Sequence, residues 1–185
     1  MSNRDAEAPE QIVWEGRFIT AKTRGRWEYV SRSRGIRAAV ILAVEDDHVI
    51  LVEQYRVPLG RACIELPAGL IGDDDGGPDE DPLAAAGREL EEETGYRAAR
   101  LEDCGEFYSS PGMVSESFCL IRASGLEKVG KGGGVDGEDI IPHRIALAAL
   151  PAFIAAQRKA DKAIDVRILL LLGAELLRTD LRDRA

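Results

Sequence analysis

A chain of 185 residues, 45% hydrophobic and 31% charged, is long enough for one globular domain with a sizeable core. Its 33 acidic against 24 basic residues leave a formal net charge of −9, which argues against a nucleic-acid partner because phosphate contacts need clustered Lys and Arg. An anionic small molecule fits only where a bound metal or a local arginine group intervenes. Residues Met1 to Glu10 are polar and lack an apolar signal segment, and the apolar stretch Ile168 to Leu172 is too short to span a bilayer. A soluble, cytoplasmic protein without a membrane partner is expected.

In chain order, residues 1–10 read as a disordered leader. Segments 11–19 and 26–31 are rich in Val, Ile, Phe, Trp and Tyr and read as strands flanking a basic turn, Lys22 to Arg26. Two apolar runs, Ile36 to Val44 and His48 to Gln54, flank Glu45-Asp46-Asp47 and predict a hairpin. Cys63 to Leu66 is a further short strand, stopped by Pro67 and Gly69, and residues 69–80 form a Gly- and Asp-rich loop. A helix follows, with Asp81 as N-cap, Pro82 in its first turn and Gly95 at the left-handed C-terminal position. Strands resume over 99–108 and 117–122, a second glycine-rich loop runs from Lys128 to Asp139, and 140–147 is a last strand. Helices over about 148–159 and 165–178 close the chain. This order suggests an α+β mixed sheet covered by helices, and not the regular alternation of a Rossmann fold. The cysteines Cys63, Cys104 and Cys119 show no ligand spacing and read as small buried hydrophobes. His48 and His143 are too scattered for a zinc site.

The helix 81–94 carries the chemistry. Glu89 and Glu93 are four residues apart and stack on one face, with Glu92 beside them. Like charges at this spacing repel, and they gather near the helix C-terminus, where the dipole disfavours negative charge. An acidic run of this kind can be a solvated face. Here Arg88 is spaced to hold the Glu92 carboxylate, and Pro67-Ala68-Gly69 leads into a loop able to turn its carbonyls toward the helix. Hard divalent cations offset such a cluster, since Mg²⁺ prefers oxygen ligands.

The run Arg88-Glu89-Leu90-Glu91-Glu92-Glu93-Thr94-Gly95-Tyr96, with Glu80 seven residues upstream of Arg88, resembles the signature of the Nudix hydrolases. One departure is clear: ten residues, rather than five, separate Gly69 from Glu80, so the loop carries about five extra residues within Gly72 to Gly77. The resemblance implies a Nudix-type α/β/α sandwich with a mixed β-sheet, plus an N-terminal β arm. It divides the chain into a leader (1–10), an arm over 11–33 that pairs two subunits into a homodimer, and a hydrolase domain over 34–180. It implies that Mg²⁺, or Mn²⁺, is held by Glu89, Glu93 and the carbonyl of Ala68, with Arg88, Glu92 and Glu138 as catalytic residues. Asp136 is the alternative to Glu138, which can also be a plain loop acid.

Val52 to Arg56, Glu65 to Gly69 and Ser109 to Glu116 resemble the branch acting on ADP-ribose and other nucleoside-diphosphate sugars. By that likeness Arg56 meets phosphate, and Trp27, Glu28, Leu70, Ser110, Met113 and Glu116 contribute to the substrate site. Trp27 either stacks on a base or packs a dimer interface, Arg56 can be a surface arginine, and Glu65 a partly buried strand end paired with Arg56. The implied reaction is hydrolysis of ADP-ribose to AMP and ribose 5-phosphate. GDP-mannose is the alternative substrate, and a catalytically silent binding module the rival class.

Overall fold

The structure is a computed structural model that describes residues 4–33, 36–72, 80–135 and 137–178. Asp73 to Gly77, the bulk of the loop extension, and Asp136 lie outside the described residues.

One strand, β4 (Arg37–Glu45), organises the domain. It runs parallel to β9 (Ser117–Lys128) and antiparallel to both β5 (His48–Arg56) and β7 (Ala68–Ile71). β5 continues to β6 (Arg61–Glu65) and pairs with β10 (Ile141–Ala146). β8 (Tyr96–Tyr108) adds to β9, and the short β11 (Ala163–Ile164) runs parallel to β6. The result is an eight-stranded mixed sheet.

The near-continuous apolar run of β4 has a physical reason: both faces of this strand are covered, so alternation would bury polar groups. Ala39, Ile41 and Ala43 face one way and meet Ala85, Ala86 and Leu90 of helix α1 (Pro82–Thr94). Val40 faces the other way and packs with Leu150 and Ile154 of α2 (Leu150–Lys159) and with Ile168, just before α3 (Leu169–Arg178). This is an α/β/α sandwich, as the resemblance implies. The β4–β5 hairpin turns through Asp46 (φ 49°) and Asp47 (φ 57°), a two-residue turn whose left-handed pair suits short polar side chains.

Three local readings change. The expected basic turn at Lys22 to Arg26 is mostly strand: β1 (Glu10–Glu15), β2 (Ile19–Arg24) and β3 (Trp27–Arg32) form an antiparallel three-stranded sheet of their own. The bend takes only Gly25 (φ 58°) and Arg26, so Lys22 and Arg24 can take ladder positions, where they pair with Glu10 at 2.9 and 3.1 Å. The loop expected from Gly69 onward begins as strand β7, because Gly69 and Leu70 find ladder partners in Ala39 and Ala38. From residue 4 the leader docks, as Asp5, 9% exposed, pairs with Arg26 at 2.9 Å. Of the cysteines, Cys63 and Cys119 are buried as expected, but Cys104 is exposed. Among the described residues no helix is long and apolar enough to cross a membrane.

The boundaries of α1 follow its expected signals. Asp81 accepts a hydrogen bond from the Leu83 amide at 3.1 Å, and Gly95 (φ 69°) returns its amide to the Glu91 carbonyl. A β-carbon at position 95 would lie 2.4 Å from the Gly130 carbonyl oxygen, whereas one at Gly60 (φ 64°) would meet nothing within 4 Å. Gly60→Ala should therefore lose only the left-handed penalty of about 1–2 kcal/mol, and Gly95→Ala on the order of 3 kcal/mol or more. Urea unfolding at unchanged m checks this, and equal losses would contradict the packing role of Gly95.

Candidate active site

Helix α1 presents Glu89 and Glu93 toward β7. Glu93 is 5% exposed and accepts a 3.0 Å hydrogen bond from the Ala68 amide. Glu89 lies across Gly69 so closely that a β-carbon there would sit 1.9 Å from its carboxyl carbon. Any side chain at 69 would therefore collide with Glu89 as it lies beneath the strand. Arg88 holds the outer carboxylates, at 2.8 Å from Glu89, 3.5 Å from Glu92 and 3.6 Å from Glu80. Glu80, in turn, accepts from the Gly72 amide at 2.7 Å.

The second glycine-rich loop closes over the C-terminal end of α1. The amides of Gly133 and Gly134 donate to the carbonyls of Glu93 and Glu92 at 2.9 and 3.0 Å, and Lys128 Nζ donates to the Thr94 carbonyl at 2.7 Å. These bonds satisfy carbonyls that any helix end leaves open. Gly132 (φ 70°) must be glycine, since a β-carbon would reach within 2.4 Å of the Thr94 backbone carbon. The same loop carries Glu138, whose Oε2 accepts from the Val135 amide at 3.0 Å.

This arrangement shifts Glu93 strongly. Burial pushes its carboxyl up to about 8, and the charges of Glu89 and Glu138 add to the rise, against the Ala68 amide and Arg56, which lower it. Among the described residues no three acidic, histidine or cysteine side chains converge as metal ligands, and Glu89 is instead paired with Arg88. Yet the donor set suits a hard cation. It offers oxygen atoms, one of them in a carboxyl group whose ionised form is disfavoured by burial first and by the neighbouring carboxylates second.

The other candidates fall into two groups. Arg56 pairs with the buried Glu65 through Nε at 2.6 Å and Nη2 at 2.8 Å, so the pairing weighed for Glu65 is present. Trp27, half-exposed on β3, lines a cavity of about 500 Å³ together with Lys22, Tyr29, Pro111, Val114 and Ser115. None of the α1 glutamates lines it. The loop after β8 turns at Ser110, whose carbonyl accepts from the amides of Met113 (3.0 Å) and Val114 (2.9 Å), and Met113 is exposed. Val114 pairs with Val30 of the N-terminal sheet, Ser31 bonds Ser115 at 2.8 Å, and Arg32 pairs with Glu116. Leu70 is half-buried on β7, and Glu28 is exposed on β3 opposite Thr23.

Two residues at this site escaped the sequence reading. Asp165 caps the turn before α3, accepting from the Arg167 amide at 2.7 Å, and Arg167 stands 3.5 Å from Glu65. An Asp-x-Arg preceding an apolar helix was the available signal, since Asp is a good N-cap.

A model of the NUDIX domain matches residues 34–160. The chain is 40% identical over 103 residues to the methanol dehydrogenase activator of Bacillus methanolicus, covering 56% of this chain and 53% of that protein. It is 38% identical over 105 residues to an ADP-ribose pyrophosphatase of Bacillus subtilis (strain 168), covering 56% and 54% respectively. The chain thus spans about half the length of these curated relatives. The crystal structure of an ADP compounds hydrolase shares the fold, with a TM-score of 0.66 at 24% identity over 91% of this chain and 92% of that one. With its central domain matched from 34 to 160 and its acidic helix set under β7, the chain belongs to the NUDIX-domain family.

Proposed function

We propose that this chain is a divalent-metal-dependent hydrolase that cleaves the diphosphate bond of ADP-ribose to give AMP and ribose 5-phosphate. The observation that carries the reading is the buried carboxylate of Glu93, pushed up to about 8 and crowded by Glu89 and Glu138. Burial and the neighbouring carboxylates disfavour the ionised form of Glu93, and a bound cation would reverse both effects. Glu89, Glu93 and the Ala68 carbonyl would hold Mg²⁺ or Mn²⁺, which when bound neutralises phosphate oxygens and acidifies a water. Similarity to an ADP-ribose pyrophosphatase supports the substrate class.

In this reading Arg88 keeps the Glu89 and Glu92 carboxylates oriented, and Glu92 supports the cluster. Glu138 takes the proton of the attacking water, since it comes in on its own loop and couples to Glu93. Arg56 meets a phosphate, because two of its five N–H groups are committed to Glu65 and the rest are free to bind an anion. Leu70, Ser110, Met113 and Glu116 border the substrate, and Trp27 with Glu28 meets the base. Residues 11–33 form the arm of a homodimer around the hydrolase domain of 34–180. The apolar surface of Ile12, Val13, Trp14 and Phe18, each more than half exposed, favours that assembly. The protein acts in the cytoplasm.

Three outcomes follow. Because the folded-state pKa of Glu93 is raised, its contribution is fully present below the ordinary value of 4.5 and is lost as pH rises through about 8. Metal-free Glu93→Gln should accordingly be more stable than wild type at pH 8, by on the order of a few kcal/mol, with the gap closing toward pH 4.5. Denaturant midpoints in EDTA at the two pH values decide this.

Turnover of ADP-ribose with Mg²⁺ should exceed that of GDP-mannose, UDP-glucose and diadenosine polyphosphates, vanish in EDTA, and fall about 10²-fold or more in Glu93→Gln. Preference for GDP-mannose would move the substrate, and hydrolysis of none of them would leave a binding module.

Light scattering should give a dimer that deletion of residues 1–33 weakens. Trp27→Ala should raise KM for ADP-ribose about tenfold with kcat nearly unchanged, as stacking is equal in ground and transition states. An unchanged KM would assign Trp27 to packing.

A further inference from the structure

Glu65 is the one carboxylate on β6, and at 3% exposure it is among the least accessible charged groups in the fold. A buried carboxylate is tolerated only when its oxygens are occupied, and here both are. Arg56 binds it through Nε at 2.6 Å and Nη2 at 2.8 Å, and Arg167 Nη2 approaches from the other side, 3.5 Å from Oε2. Arg167 is itself immobilised. Its Nε and Nη2 each reach Asp165 at 2.7 Å, its own amide binds the same carboxylate, and its guanidinium lies 5.6 Å over the Phe118 ring. The four side chains alternate in sign, Asp165, Arg167, Glu65, Arg56, and run from the last helical segment to the edge of the site.

The final member is the most open to solvent. The Arg56 side chain is 42% exposed, against 19% for Asp165, 18% for Arg167 and 4% for Glu65. Its Nη1 makes no hydrogen bond among the described residues, so one edge of the fork is fixed inward and the other is presented outward. Three residues after Glu65 the chain reaches Ala68, the first residue of β7, whose amide binds Glu93. The charges of Arg56 and Glu93 also influence each other's protonation.

We propose that Glu65 and Arg167 are positioning residues, which brace Arg56 so that its free edge meets an anionic group of the substrate beside the acidic cluster. This rests on the reading above that Arg56 binds phosphate. An unbraced arginine must give up about 2 kcal/mol of side-chain freedom when it binds, whereas a braced one has already done so on folding. Neither Glu65 nor Arg167 touches the substrate, and each acts through Arg56.

The test is a kinetic cycle on the wild-type chain, Glu65→Gln, Arg56→Ala and the double variant, using whichever nucleoside diphosphate compound the wild type hydrolyses best. Losing half of a charge-assisted pair should raise KM about tenfold in Glu65→Gln while kcat stays within about twofold. In the Arg56→Ala background the same change should leave KM where Arg56→Ala puts it. Arg167→Lys, which keeps the charge but loses the fork, should raise KM about threefold and likewise lose its effect without Arg56. This second variant carries the test if Glu65→Gln fails to fold.

The Arg56 Nε–H resonance, assigned by its loss in Arg56→Ala, provides a readout independent of turnover. Its solvent exchange should quicken about tenfold in Glu65→Gln. An equal rise in KM with and without Arg56, a wild-type KM in the single variants, or an unchanged Nε–H exchange rate would each overturn the brace. Absence of any hydrolysis by the wild type would instead defeat the functional reading, and the exchange measurement would still decide whether Glu65 holds Arg56.

Discussion

The bond from the Ala68 amide to the buried Glu93 carboxylate ties the sheet to the acidic helix, and much of the domain serves to make it possible. A carboxylate at the C-terminal end of a helix faces the negative pole of the helix dipole, and burial takes away the water that would screen it. The fold answers with close backbone contacts. Gly69 lets the Glu89 side chain lie flat against β7, and Gly132 lets the second loop come within van der Waals range of the helix end. The loop's amides then take the carbonyls of Glu92 and Glu93, so the polar end of the helix is satisfied. Local stability is given up at Glu93, and in the proposed reading a bound cation would recover it.

The geometry of the sheet explains why that place is rigid. β4 is buried on both faces, and its two neighbours on the site side differ in role. β7 pairs with its first half, from Arg37 to Val40, while β5 pairs only at the hairpin end, through Val44 and Glu45. The two strands therefore splay away from each other, and the gap between them is where β6 delivers Pro67 and Ala68. Ile41 donates its amide to the Pro67 carbonyl at 2.8 Å, which holds the turn into β7 in place. Shifting this register by one residue would exchange the two faces of β4, exposing Ala39 and Ile41 to the side packed by α2. The site inherits its precision from a core that has no second way to pack.

How much of this the sequence disclosed depends on the range of each signal. Helix α1 was legible in type, in both caps and in its charged face, because capping and i,i+4 spacing are local properties. The sandwich followed from the resemblance, and the hairpin at Asp46 and Asp47 from its two apolar flanks. The arm was misread where basic residues looked like a turn. Lys22 and Arg24 are poor strand formers on their own, and their partner Glu10 lies more than ten positions away. β7 was hidden for a similar reason, since Gly69 and Leu70 have no strand propensity and are held only by the ladder with β4. The Asp165–Arg167–Glu65–Arg56 chain joins residues about a hundred positions apart, which no local pattern reports.

The N-terminal sheet makes a different kind of contact from the rest. Its only backbone junction among the described residues is between Val30 and the 113–115 segment, reinforced by Ser31 with Ser115 and Arg32 with Glu116. That segment is the loop after β8 and not part of the acidic cluster. In the proposed reading, reaction and selectivity would therefore be carried by separate parts of the chain. The glutamates of α1 are held against a buried core, while Trp27 sits at the exposed start of β3 and Met113 on the exposed loop after β8. A chain built this way can keep one chemistry and exchange its substrate by altering the arm and a single loop. The motif on α1 accordingly identifies the reaction class far more sharply than it identifies the molecule cleaved.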